Sequence, residues 1–149
     1  MKIAIGCDEA AYDLKQTLKK HLVDTGHEVT DFGTHDALPV LYPSVAFAVA
    51  EQVACGMFER ALLLCGTGIG MAIAANKVKG IRAAQCHDTY SAERASRSND
   101  AQIITIGARV VGPELAKAIV DAWLRSTYDG GRSQPKVDLI RTYEAGKSV

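Results

Sequence analysis

Short apolar runs alternate with longer amphipathic segments along the whole chain, and this alternation limits the folds that the sequence can adopt. The run "RALLLCG" is almost continuously apolar, as is typical of a strand covered on both faces of a sheet. Leu14, Leu18 and Leu22 recur at helical spacing in the first amphipathic segment. The pattern predicts strands at 2–6, 27–33, 60–66, 81–87 and 101–107. It predicts helices at 11–26, 44–56, 68–80, 88–99, 112–126 and 133–146.

Strands that alternate with helices predict an α/β fold with a parallel sheet between helical layers. We expect a three-layer αβα sandwich of the Rossmann-like type with a five-stranded parallel sheet. The 149 residues suit one domain over 1–149, because no linker, internal repeat or low-complexity tract divides them. In such sheets, ligands bind outside the carboxyl ends of the strands, where the strand order reverses. Residues at strand ends are therefore the first functional candidates.

The charge balance argues against several classes of partner. The chain has 17 basic and 17 acidic residues, so no basic surplus indicates nucleic acid or an anionic membrane. No stretch approaches the ~20 apolar residues of a membrane span, and the first apolar run is too short for a signal peptide. Four cysteines without a CxxC pair favour free thiols in the cytoplasm. Four histidines lack metal-ligand spacing, and we expect neither a metal nor another cofactor.

The stretch "CGTGIG" at 65–70 joins the third strand to a helix and places three glycines in five positions. Its G-x-G-x-G spacing differs from the G-x-G-x-x-G dinucleotide fingerprint, and it follows the third strand rather than the first. A P-loop is also disfavoured, because no Gly-Lys-Ser/Thr follows. Glycines nevertheless let backbone N–H groups approach a ligand at the positive end of a helix. We expect this loop to hold negative charge, either a phosphate or an oxyanion that forms during a reaction.

Three positions near predicted strand ends or late glycines allow two interpretations each. Cys65 is either a small buried apolar side chain or a thiol of lowered pKa that acts as a base or nucleophile. Asp8 caps the first helix, binds hydroxyls or the Cys65 thiol, or does both. Arg132 follows two glycines, with Lys136 four residues on; the pair is either solvated or forms a phosphate clamp.

Seven segments spread over the chain match one known pattern of residues. They are "IAIGCD" at 3–8, "YP" at 42–43, "CGTGIGMAIAANKVKGIRAA" at 65–84, "HDTYSAERA" at 87–95, "ND" at 99–100, "GARVVGPELAKAIVDAWL" at 107–124 and "YDGGR" at 128–132. Together they resemble the ribose-5-phosphate isomerase B and galactose-6-phosphate isomerase family. The resemblance implies a metal-free aldose–ketose isomerase, an intramolecular oxidoreductase, with a Rossmann-like fold. It also implies a homodimer or dimer of dimers with shared active sites, in which the helix at 133–146 packs on the partner.

The resemblance assigns the chemistry to the glycine loop. Cys65 would be the catalytic base and would move a proton between C1 and C2 of a sugar phosphate through a cis-enediolate. Thr67 and the amides of three glycines would stabilise the enediolate oxygen. These glycines are Gly66, Gly68 and Gly70.

The remaining roles that the resemblance implies concern the sugar and its phosphate. Asp8 and Tyr42 would bind sugar hydroxyls or help to open the ring. Asn99 of the partner subunit would also touch the sugar. Arg132 and Lys136 would hold the phosphate.

Three positions depart from the family pattern. Glu9 stands where the family usually has a histidine that contacts the phosphate, and a carboxylate there repels phosphate unless it turns away. Ser98 stands where the family has the histidine credited with opening the furanose ring. Lys136 stands where arginine is frequent, so the charge is kept and the bidentate fork is lost. We retain all three as candidate substrate-binding positions.

These departures leave several substrates open. Ribose 5-phosphate follows from the family, whereas D-erythrose 4-phosphate would need no ring-opening group, because its O4 is phosphorylated. Free aldoses such as allose or rhamnose are a further alternative. A non-catalytic anion-binding subunit belongs to another class, and the retention of Cys65 and Arg132 argues against it. A thiol-redox role is disfavoured, because no second cysteine lies near Cys65 in the sequence.

Overall fold

The computed structural model describes residues 1–147. The strands β1–β5 are Lys2–Cys7, Glu28–Asp31, Arg60–Cys65, Ala83–Gln85 and Ile103–Gly107. The helices α1–α6 are Tyr12–Asp24, Tyr42–Ala54, Ile69–Ala75, Thr89–Asn99, Pro113–Leu124 and Gln134–Glu144. Short 3-10 turns at Glu9–Ala11 and Gly131–Ser133 lead into α1 and α6. All the strands are parallel and lie in the order β2-β1-β3-β5-β4.

Two helical layers cover the sheet, which confirms the predicted three-layer α/β architecture. Helices α1, α4 and α5 pack on one face, and α2 and α3 pack on the other. Alternate residues of β3 serve the two layers: Leu62 and Leu64 pack with Trp123, and Leu63 packs with Met71. All five are fully buried, and each buried leucine stabilises the fold by roughly 1.5–3 kcal/mol. Burial on both faces explains why this strand contains no polar side chain after Arg60.

Helix α2 begins at Tyr42, two residues before the predicted start. Pro43 occupies its first turn, where the missing N–H of proline breaks no helical hydrogen bond. Tyr42 was expected in a loop, and the helix instead carries it at a fixed position.

None of the helices within residues 1–147 is long and apolar enough to cross a membrane.

Helix α3 ends at Ala75, five residues before the predicted end. Asn76 explains this difference, because its Nδ2 donates to the carbonyl oxygens of Ala72 at 2.9 Å and Ala83 at 2.8 Å. Its Oδ1 accepts from the N–H of Ala83 at 2.9 Å. The amide side chain therefore terminates the helix and ties its end to β4. Strand β4 keeps only three of the seven predicted residues, because it lies at the sheet edge and pairs with β5 alone.

The strand order reverses between β1 and β3. The chain moves outward from β1 to β2, then crosses back over β1 to reach β3 on its other side. The carboxyl ends of β1 and β3 therefore lie side by side, with Cys7 paired to Leu64. Asp8 follows the end of β1, and the glycine loop follows the end of β3. The topology therefore brings Asp8 close to the glycine loop.

Helix α6 carries an apolar side that its own chain leaves uncovered. Val137 is its one buried residue among those described. Leu139, Ile140 and Tyr143 are 55%, 52% and 73% exposed. Packing of this helix on a partner subunit stays a prediction.

Candidate active site

The sulfur of Cys65 lies at the start of the glycine loop. Cys65 ends β3, is 5% exposed, and its Sγ accepts the N–H of Gly68 at 3.0 Å. Gly68 has a φ of 77°, a left-handed conformation that glycine adopts without strain. The hydroxyl of Thr105 donates to the carbonyl oxygen of Gly68 at 2.8 Å and so holds the backbone of Gly68 in place. An N–H aimed at the sulfur stabilises a thiolate, which is the reactive form of cysteine.

The other cysteines lack this arrangement. Burial raises the pKa of the Cys7 thiol to about 11 and that of Cys86 to about 12. Cys55 is exposed at the end of α2, where its thiol donates to the Gln52 carbonyl at 3.3 Å. Cys65 is therefore the cysteine that combines a hydrogen-bonded sulfur with a place in a cavity.

A cavity of about 510 Å³ opens at the carboxyl ends of β1 and β3. Seven of the candidate residues line it: Asp8, Glu9, Tyr42, Cys65, Gly66, Thr67 and Gly70. The eighth, Gly68, contributes its N–H to Cys65. Eight of the twelve candidates are thus gathered around one space.

The structure shows the capping role suggested for Asp8 and places the residue at the cavity, while its binding of hydroxyls stays a prediction. Its Oδ1 accepts the N–H of Ala10 at 3.1 Å, so it caps the turn that leads into α1. Its carboxyl also lines the cavity. Burial, followed by the neighbouring charge of Glu9, raises the pKa of Asp8. A carboxyl of raised pKa exchanges protons more readily near neutral pH, so Asp8 is suited to proton transfer at sugar oxygens.

Tyr42 closes one side of the cavity against the glycine loop. A Cβ added to Gly70 would lie 2.6 Å from Cζ of Tyr42 and 2.9 Å from its hydroxyl oxygen. Only glycine permits this approach, because contacts below 3.0 Å force a neighbour to move. The third glycine of the loop is therefore explained by the tyrosine that packs on it.

Glu9 is tied to the loop that precedes α2. Its Oε2 accepts the N–H of Val40 at 3.1 Å. Hydrogen bonds from its own backbone N–H and from Val40 lower the pKa of Glu9. The residue that replaces the family histidine is thus an ionised carboxylate that anchors a cavity wall.

The other four candidates lie around a second cavity of about 520 Å³, which shares no lining residue with the first. These residues are Ser98, Asn99, Arg132 and Lys136. The side chains of Arg132 and Lys136 form no hydrogen bond or ion pair within residues 1–147. Ser98 accepts a hydrogen bond from the guanidinium of Arg94. One chain therefore divides the candidate residues between two separate spaces, one with the thiol and one rich in cations.

Arg109 lies at a predicted strand end, but the sequence interpretation assigned it no role. It follows β5, lines the cavity at Cys65, and its Cζ lies 3.5 Å from where a Cβ of Gly66 would stand. Its guanidinium donates no hydrogen bond within the described part of the chain. Its positive charge opposes the rise in the pKa of Asp8 without outweighing it, and adds slightly to the lowering of the pKa of Glu9. The signal was its place in "GAR", directly after a strand that neighbours β3.

Comparison with known proteins identifies the family. A family model described as Ribose/Galactose Isomerase matches residues 3–140. The chain belongs to the ribose/galactose isomerase family. It is 60% identical over 140 residues to "Ribose-5-P isomerase B" of Listeria innocua, covering 94% of this chain and 95% of that one. It is 56% identical over 146 residues to "D-erythrulose-4-phosphate isomerase" of Pectobacterium atrosepticum, covering 97% and 95%.

The fold of a solved relative agrees with this membership in the ribose/galactose isomerase family. Ribose-5-phosphate isomerase B of Clostridium thermocellum superimposes with a TM-score of 0.96 at 47% sequence identity, covering 99% of this chain and 100% of that one. The expected isomerase family and the expected Rossmann-like fold are therefore both confirmed.

Proposed function

We propose that this ribose/galactose isomerase interconverts ribose 5-phosphate and ribulose 5-phosphate, or a close analogue, with Cys65 as the base. The observation that carries the proposal is the Cys65 sulfur, which accepts an N–H from Gly68 in a cavity at the point where the strand order reverses. The four free cysteines favour the reducing cytoplasm as its location.

The reaction moves one proton between neighbouring carbons and one between neighbouring oxygens. The Cys65 thiolate takes the proton from C2 of the aldose, and the C2–H electrons form the C1–C2 double bond. The carbonyl oxygen O1 becomes negative, and the loop N–H groups with Thr67 stabilise that charge. Asp8, with its raised pKa, carries a proton from O2 to O1. The Cys65 thiol then returns its proton to C1, which leaves the ketose and restores the thiolate.

The phosphate requires cations, and the chain offers them in two places. Arg109 stands in the cavity with Cys65 and has no partner within residues 1–147. Arg132 and Lys136 stand in the other cavity. We infer that two copies of the chain associate so that Arg132 of the partner subunit completes the site. The exposed apolar side of α6 supplies a surface suited to this contact.

A mixing experiment tests the shared site. Cys65→Ala and Arg132→Ala should each leave little activity as homodimers. Random exchange at equal concentrations makes half of the dimers mixed, and each mixed dimer holds one intact site of two. The mixture should therefore regain about a quarter of wild-type activity. No recovery, with mixed dimers demonstrated by mass spectrometry, would place all the essential groups in one chain.

A tetrose 4-phosphate is the second candidate substrate. The observation that favours it is that Ser98, which stands at the position of the ring-opening histidine, and His87 are both engaged in other hydrogen bonds. Ser98 accepts from Arg94, and Nε2 of His87 accepts the N–H of Gly107 at 3.0 Å. An open-chain substrate needs no such group, and a protein 56% identical to this chain is named for D-erythrulose 4-phosphate.

A substrate panel decides between the candidates. Purified protein is assayed with ribose 5-phosphate, erythrulose 4-phosphate, free ribose and free allose. A kcat/KM for ribose 5-phosphate well above the others supports the first proposal, and a preference for the four-carbon ketose supports the second. Turnover of free sugars alone would refute the proposal that Arg132 and Lys136 bind the phosphate of the substrate. Absence of turnover with retained phosphate binding would indicate an anion-binding subunit.

A further inference from the structure

The carboxyl end of the edge strand β4 carries two side chains that hold backbone groups near the glycine loop. Nε2 of Gln85 donates to the carbonyl oxygen of Thr67 at 2.7 Å. Nε2 of His87 accepts the N–H of Gly107 at 3.0 Å. Neither side chain lines the cavity at Cys65, so any effect on the reaction passes through the backbone that they hold.

His87 takes the place of a strand partner at the point where β4 ends. The N–H of Cys86 donates to the carbonyl of Thr105 at 3.0 Å. Alternate residues of a strand face the same neighbour, so the next donor on this side of β5 is Gly107. No backbone acceptor within residues 1–147 meets the Gly107 N–H, because the chain turns into α4 at Thr89. An unprotonated imidazole nitrogen fills the gap.

Gly107 is in turn packed directly on the glycine loop. A Cβ at this position would lie 2.6 Å from the carbonyl carbon of Thr67 and 2.7 Å from its Cα. The following residues are bonded to the same loop, since Ala108 N–H donates to the Cys65 carbonyl at 2.9 Å. Any displacement of Gly107 therefore shifts Thr67, and with it the N–H that Gly68 donates to the sulfur.

We propose that Gln85 and His87 are positioning residues for the isomerase reaction. They hold the two backbone segments on either side of the Gly107–Thr67 contact. This fixes the amides of the Thr67–Gly68 segment against the Cys65 sulfur and the enediolate oxygen. The inference rests on the proposed function of that loop.

Paired variants separate positioning from general support of the fold. His87→Phe keeps a ring and removes the acceptor, whereas His87→Gln keeps an acceptor at similar reach. Gln85→Met keeps the length and removes the donor. His87→Phe and Gln85→Met should each lower kcat on the order of tenfold and leave KM within about twofold, because the loop acts in the transition state. His87→Gln should stay within about threefold of the wild type.

The matched control is His21→Phe. It also removes a contact of a histidine Nε2, the one to Asp121 at 2.7 Å, which joins α1 to α5 and involves no residue that lines the cavity at Cys65. It should lower the melting temperature and leave kcat unchanged. If His87→Phe and Gln85→Met behave like this control, their role is structural and the proposal is wrong.

A spectroscopic readout makes the inference independent of turnover. The amide resonance of Gly68 reports its bond to the Cys65 sulfur, and it should shift in His87→Phe and Gln85→Met but not in His87→Gln or His21→Phe. A wild-type protein without isomerase activity refutes the proposed function, and the Gly68 resonance then still decides whether these side chains set the loop. An unmoved resonance in His87→Phe and Gln85→Met refutes the inference, whatever the enzyme turns over.

Discussion

Replacing Gly107 by alanine should damage the reaction more than the fold, for a reason visible in one contact. The added Cβ would stand 2.6 Å from the carbonyl carbon of Thr67, and ordinary contact begins near 3.4 Å. The two segments must therefore separate by about 0.8 Å, the difference between these distances. The obstructing atoms are backbone, so no side-chain rotation can relieve the contact.

The size of both effects follows from this displacement. Overpacking of this kind destabilises a fold by about 1–3 kcal/mol, which lowers Tm by roughly 3–10 °C for a chain of this length. A shift near 1 Å in a positioned loop lowers kcat on the order of a hundredfold. Thermal denaturation and steady-state kinetics with ribose 5-phosphate measure the two quantities on the same preparation.

Gly112→Ala is the control for this experiment. A Cβ at Gly112 meets nothing within 4 Å, and its φ of −77° suits alanine. Its effect should stay below about 1 kcal/mol, from the weaker cap of α5, with kcat unchanged. The reasoning is refuted if Gly107→Ala retains wild-type kcat and a Tm within a degree of the control.

Two further outcomes follow from charge and burial. Burial raises the pKa of Asp31, but hydrogen bonds from Lys15, the Gly33 N–H and Lys19 outweigh it and lower the pKa below its usual range. That stabilisation is present above about pH 4 and is lost as the pH falls through the lowered value, so Asp31→Asn should flatten the acid limb of a stability profile. At pH 7 the free energy of unfolding of the variant, measured by urea denaturation, should be lower by about 3–5 kcal/mol, because Lys15 is left buried without its partner. An unchanged urea midpoint would contradict this. Iodoacetamide at pH 8 should label exposed Cys55 and also Cys65, whose thiolate lies in the cavity, and should leave the buried Cys7 and Cys86 thiols of raised pKa unmodified until unfolding. Peptide mapping that finds Cys7 or Cys86 labelled in the folded protein would refute this assignment.

The sequence predicted the fold well because its strongest signals are periodic. The apolar run that ends at Cys65 and the spaced leucines of α1 identify strand and helix without tertiary knowledge. Boundaries failed where one side chain decides them. Asn76 ends α3 by bonding to a strand that lies later in the chain, and the local pattern of small apolar residues contains no sign of it.

The local sequence pattern predicted only some of the residues at the candidate site. Cys65 and Asp8 were placed by the rule that ligands bind at strand ends, and the topology does bring them together. Arg109 was placed at a strand end but received no role, because an arginine after a strand is usually solvated and only the pairing of β3 with β5 brings it to the glycine loop. The division between two cavities also depends on where α4 and α6 pack, which no local pattern encodes.

The central claim is that Cys65 transfers the proton, and Cys65→Ala tests it most directly. Wild type and variant are incubated with ribulose 5-phosphate, and formation of ribose 5-phosphate is followed by NMR. The variant should lose at least about a thousandfold in kcat while its Tm stays close to wild type, and Cys55→Ala should keep full activity. Turnover by folded Cys65→Ala within tenfold of the wild type would contradict the claim.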